Sequence, residues 1–88
     1  MLIFTACYSQ ADEYHKSGLQ LFEQEFYEKA ILDYGKAIDL DPDFVVAYSD
    51  RGFTYYFLGQ YEKAILDYNK AIDLDSKFAL AYNNRGFA

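Results

Sequence analysis

The 88-residue chain reads as all-α, a solenoid of helical hairpins built from about two and a half 34-residue repeats. Three observations predict this. The stretch YEKAILDYGKAIDLDPDF at Tyr27–Phe44 returns as YEKAILDYNKAIDLDSKF at Tyr61–Phe78, 34 residues on, changed only where Gly35 becomes Asn69, Pro42 becomes Ser76 and Asp43 becomes Lys77. AYSDRGF at Ala47–Phe53 likewise returns as AYNNRGF at Ala81–Phe87. Within each copy, apolar and small residues recur at steps of three and four, the spacing of one helix face. Turn formers separate the apolar stretches.

Residues 1–10, MLIFTACYSQ, stand outside the repeat. Phe4, Cys7, Ala11 and Tyr14 keep helical spacing, so this segment reads as an extension of the first helix. A second reading is that FTAC resembles the end of a bacterial lipoprotein signal, in which an apolar stretch leads through small residues to a lipid-accepting cysteine. Here that stretch is short and has no basic leader, so the signal would be a truncated remnant. A cloning or gene-start artefact is the third.

Repeat 1 spans residues 11–44 and repeat 2 spans 45–78. In the second helix of each, Tyr27, Ala30, Ile31, Tyr34, Ala37 and Ile38, and then Tyr61, Ala64, Ile65, Tyr68, Ala71 and Ile72, form one face. In the first helix of repeat 2, Tyr48, Gly52, Tyr55 and Leu58 make a comparable stripe, and Gly59-Gln60 supplies the hairpin turn. Asp41-Pro42-Asp43 is expected to stop the second helix, with its aspartates capping the helix that follows. Asp75-Ser76, lacking proline, is expected to be a softer stop. Residues 79–88 form a truncated first helix of repeat 3, which leaves Tyr82, Gly86 and Phe87 without a partner helix.

Composition narrows the function. A net charge of -6 argues against phosphate-backbone binding, so nucleic acid is not an expected partner. The single cysteine, Cys7, excludes an internal disulfide. No apolar run is long enough to cross a bilayer. Asp39, Asp41, Asp43 and Asp50 mimic calcium-loop spacing, but Phe44 stands where such a loop needs glycine and Pro42 intrudes, so they read as capping carboxylates. His15, the only histidine, has no cysteine or second histidine near it in sequence. No metal, no cofactor and no catalytic residue is therefore expected, and the chain is not read as an enzyme. Glu28, Lys29, Asp33 and Lys36 are expected to pair at i,i+3 and i,i+4 on a wet outer face.

From Ala11 to Ala88 the sequence resembles the tetratricopeptide repeat family. Its signature positions fall on Tyr14, Gly18, Leu21, Tyr27, Ala30, Tyr34 and Ala37, and then on Tyr48, Gly52, Tyr55, Tyr61, Ala64, Tyr68 and Ala71. Departures are Tyr in place of Trp at the first signature position, Ser17 and Arg51 where an aliphatic residue is common, and Ser76 for proline. The resemblance implies a scaffold whose first helices line a concave groove that binds a protein or peptide. By position that groove comprises Asp12, His15, Leu19, Phe22 and Glu23, then Val46, Ser49, Phe53, Tyr56 and Phe57, then Leu80, Asn83 and Phe87. His15, Leu19, Phe22, Ser49, Phe53, Tyr56, Phe57, Asn83 and Phe87 are taken as the partner-binding residues. Family members that grip acidic chaperone tails use a Lys, Asn and Arg clamp; the matching positions here hold His15, Leu19, Asp50, Leu80 and Asn84. The alternative function is a self-assembling structural unit, a homo-oligomer through uncovered repeat ends. The expected location is cytoplasmic, or membrane-anchored if Cys7 belongs to a lipoprotein signal.

Overall fold

The computed structural model describes residues 2–76, with side chains from residue 10 onward. Four helices follow in order: α1 (Leu2–Glu23), α2 (Tyr27–Leu40), α3 (Val45–Phe57) and α4 (Tyr61–Leu74). No strand occurs among the described residues. α1 packs along α2 and α3 along α4 as two hairpins; α2 packs on α3 to join them, and α1 touches α3 more lightly. The chain is all-α and built as a helical repeat. The backbone is already helical at Leu2 and runs without a break into repeat 1. The side chains of Phe4 and Cys7, and the expected third-repeat helix at 79–88, lie outside the described residues.

The two copies end their second helices at equivalent residues. The backbone N–H of Asp41 donates to the Ala37 carbonyl at 2.9 Å, and that of Asp75 to the Ala71 carbonyl at 3.0 Å. The stop therefore does not depend on Pro42, and the softer ending expected at Ser76 is not seen. Capping is also corrected. The residue preceding α3 is Phe44, with no side-chain cap, and Asp41 Oδ1 instead accepts the Asp43 N–H at 3.2 Å in a local turn. Phe44 packs against the apolar core, so burial rather than a carboxylate directs the chain into α3.

Each hairpin turns on one left-handed residue, Glu25 at φ 67° and Gly59 at φ 81°. Phe26 N–H reaches back to the Leu21 carbonyl at 2.8 Å and Gln60 N–H to that of Tyr55 at 2.8 Å. These bonds satisfy carbonyls that the helix end would leave unpaired. Repeat 2 uses glycine for this conformation; repeat 1 forces a glutamate into it.

The core is made of small residues and tyrosines. Ala30, Ala37 and Ala47 are fully buried, as are Ala64 and Ala71 to within 2%. Tyr34, Tyr48 and Tyr68 fill the space beside them. Gly52 sits against α4, where a Cβ would lie 3.2 Å from the Ala64 carbonyl, so those backbones meet directly. Gly18 instead meets the ring of Tyr34.

The expected wet face of α2 is rearranged. None of its i,i+3 or i,i+4 charge pairs forms among the described residues. Lys29 lies 5.2 Å from the Phe26 ring centre and Lys36 5.4 Å from that of Tyr14. Asp33 turns inward to accept the Ser17 hydroxyl at 2.5 Å. Its equivalent, Asp67, takes two bonds from Arg51, each 2.8 Å. The same pair of repeat positions thus ties the two helices of each hairpin.

Candidate functional site

α1 and α3 lie side by side, so residues one repeat apart on them share a surface. Phe22 on α1 is the hub. Its ring centre lies 5.7 Å from Phe53 and 5.6 Å from Phe57 on α3, and 5.2 Å from Tyr27 at the start of α2. Tyr27 and Phe57 are 5.1 Å apart, and Phe53 and Phe57 6.2 Å. The tilted and edge-on arrangement of these rings suits their quadrupoles. The cluster is not sealed: Phe53 is 47% and Phe57 56% exposed. Leu19, one helical turn before Phe22, adds exposed apolar surface. Tyr56 is exposed too, with its ring edge-on to Tyr61 at 5.3 Å.

Leu19, Phe22, Phe53, Tyr56 and Phe57 therefore supply accessible apolar surface. His15 and Ser49 offer a partner little. His15 Nε2 lies 2.6 Å from Asp50 Oδ2, its side chain 12% exposed. Its ring packs 5.1 Å from Phe44 and 5.8 Å from Tyr34. Ser49 is buried. Both serve contacts between helices. Asn83 and Phe87 lie outside the described residues.

Asp50 belongs to a buried polar seam. Its backbone carbonyl accepts the Thr54 hydroxyl at 2.8 Å. Burial, reinforced by the Asp50 charge, pushes the Tyr34 phenol well above its ordinary value. The hydrogen bonds from Arg51 to Asp67 hold the guanidinium firmly protonated, against the opposing effect of its burial. No group of three or more metal-ligating side chains occurs among the described residues. No described helix is long and apolar enough to cross a membrane.

Three features went unread in the sequence. Tyr27 is a signature core position, yet its ring belongs to the open cluster. Ser17–Asp33 and Arg51–Asp67 were visible only as a serine and an arginine in aliphatic positions. The available signal was an aspartate 16 residues after each, at the same place in both copies.

The family model described as TPR repeat matches residues 18–59 and again 54–88. A comparison with curated proteins returns no match. Among solved structures, the chain is similar to the first TPR of Spaghetti (RPAP3) bound to the HSP90 peptide SRMEEVD, at 32% identity and a TM-score of 0.82 over 89% of this chain. It is similar to MamA at 30% identity and a TM-score of 0.82 over 91% of this chain. It is also similar to the Arabidopsis OM64 TPR domain, at 25% identity and a TM-score of 0.83 over 92% of this chain. It spans 62%, 47% and 67% of those three chains respectively.

Proposed function

The chain belongs to the tetratricopeptide repeat family, and on that premise we propose that it is a non-catalytic protein-interaction scaffold whose first helices present an aromatic surface to a peptide or helix of a partner protein. The observation that carries this is the open ring cluster of Phe22, Phe53 and Phe57. Aromatic rings left half-exposed in a contiguous patch are the surface type that interfaces bury for most of their energy. A related structure holding a bound peptide supports peptides as the ligand class.

The ligand differs in charge from that relative's acidic peptide. Of the positions matching the clamp used for acidic tails, His15 is committed to Asp50 and Leu19 is apolar. An incoming carboxylate would meet Asp50 rather than a lysine or arginine. A free acidic C-terminal peptide is expected to give no titration signal at micromolar concentrations. Binding abolished by amidating its terminus would overturn this reading. Phe53→Ala combined with Phe57→Ala is expected to strip the captured partner in a pull-down while helical content is kept, and unchanged capture would exclude the ring cluster.

Self-association is the second reading, favoured by one contrast. Ile65 is 54% exposed, whereas its equivalent Ile31 is half-buried. Light scattering across a dilution series separates the two, because an obligate assembly keeps its mass on dilution and a monomeric binder does not form one.

A further inference from the structure

The turn from α1 into α2 reads Glu23-Gln24-Glu25-Phe26-Tyr27-Glu28, and it runs directly out of Phe22 and through Tyr27, two members of the ring cluster. Glu23, Glu25 and Glu28 are all exposed, and none forms an ion pair among the described residues. The cations nearby are committed. Lys29 leans over Phe26, Lys16 pairs with Asp12 at 3.4 Å, and Arg51 is held by Asp67. On the described parts of α1 and α3, Lys16 and Arg51 are the only lysine and arginine. The apolar surface is therefore edged by carboxylates with no uncommitted lysine or arginine beside them.

Building on the scaffold reading above, we infer that this surface takes a basic amphipathic segment: bulky apolar side chains seat on Phe22, Phe53 and Phe57, and Lys or Arg side chains reach Glu23, Glu25 and Glu28. Charge complementarity selects this occupant. A second copy of the chain is disfavoured by the same reasoning, since it carries the same glutamates and a net charge of -6. Residues 2–9 are disfavoured as well. They continue α1 as helix, at least 13 residues before Phe22, or roughly 20 Å along the axis.

The chain contains no tryptophan, so emission from a tryptophan-bearing peptide reports the peptide alone. The probe is a synthetic amphipathic helix with Leu and Trp on one face and Lys on the other, compared with a counterpart carrying Glu at every Lys. At low salt the Lys peptide is expected to bind about tenfold tighter, and the preference should shrink toward unity at high salt as rim charges are screened. Glu23→Gln with Glu25→Gln and Glu28→Gln should erase the preference while leaving salt-insensitive binding. All three side chains are exposed, so this variant tests charge without disturbing the core. Phe53→Ala with Phe57→Ala should lose both peptides, which separates docking on the rings from diffuse attraction to an acidic protein. Equal binding of the two peptides, tighter binding of the Glu peptide, or a preference untouched by the Gln variant overturns the basic partner and leaves the scaffold standing. If neither peptide binds, the scaffold reading fails at this surface and the inference fails with it. A dimer that dissociates only in the Phe variant would assign the surface to a second copy.

Discussion

Gly18→Ala and Gly35→Ala are the same chemical change in two helices of one hairpin, and the structure gives them opposite signs. A Cβ on Gly18 would stand 2.5 Å from Tyr34 Cε1 and 2.7 Å from its Cδ1. That is far inside van der Waals contact. The ring has nowhere to go, because Tyr34 is 1% exposed and packs beside His15. Overpacking a tight core costs about 1–3 kcal/mol, and replacing a helical glycine returns about 1 kcal/mol. The net expectation for Gly18→Ala is a loss of about 1–2 kcal/mol, the clash being close and the obstacle rigid. At Gly35 the nearest atom to a new Cβ is Arg51 Nη1 at 3.7 Å, an ordinary contact. Gly35→Ala should therefore keep most of the helix-propensity gain, about 0.5–1 kcal/mol. Urea unfolding followed by far-ultraviolet circular dichroism measures both. With a slope of about 1 kcal/mol/M, the midpoint should fall by about 1–2 M for Gly18→Ala and rise by about 0.5–1 M for Gly35→Ala. Midpoints moving in the same direction, or an unchanged Gly18→Ala, would refute the packing argument.

Arg51→Ala leaves the Asp67 carboxylate buried without its partner and is expected to cost about 3 kcal/mol, whereas Arg51→Ser, which copies the residue of repeat 1, should cost less because a hydroxyl can still donate; chemical denaturation ranks the two. Stability should decline as pH rises above about 10, since burial raises the Tyr34, Tyr48 and Tyr68 phenols in the folded chain while in the unfolded chain they ionise normally. The stabilisation is whole below the unfolded value and is lost as pH climbs toward the folded ones. Tyr34→Phe should flatten part of this alkaline slope, as read by thermal melts at stepped pH. Gly59→Ala should cost about 1 kcal/mol although nothing lies within 4 Å of its Cβ position, because φ 81° strains any residue with a side chain; a neutral outcome would show that the turn readjusts.

The helices were legible because periodicity is a property of one segment at a time. Ala30, Tyr34, Ala37 and Ile38 declare a buried face through spacing alone, and the second copy repeats the statement at Ala64, Tyr68, Ala71 and Ile72. The turn at Gly59 was legible from its glycine, while Glu25 gave no hint that it takes the same left-handed conformation. What stayed hidden depends on how helices rotate against one another. His15 meets Asp50 across 35 positions, and no local pattern marks that meeting. Asp33 looked like a wet-face charge because two neighbouring lysines suggested pairing on α2; the rotation of α1 brought Ser17 over it instead. Phe22, Phe53 and Phe57 were readable as groove positions only through resemblance, and their convergence with Tyr27 came from the closeness of the turn to α3.

Each helix packs chiefly on the helices next to it in sequence, and this has a kinetic meaning. The chain closes only short loops as it folds, so microsecond-to-millisecond folding is expected and either hairpin can start it. Opening follows the same map. α1 can peel from α2 while α3 and α4 stay closed, so amide hydrogens should exchange in two blocks with protection greatest near the junction of Ala37, Ile38, Ala47 and Tyr48. Phe22 belongs to the first block and Phe57 to the second. A partner seated on both rings staples the blocks together, so its binding should slow exchange in helices it never touches.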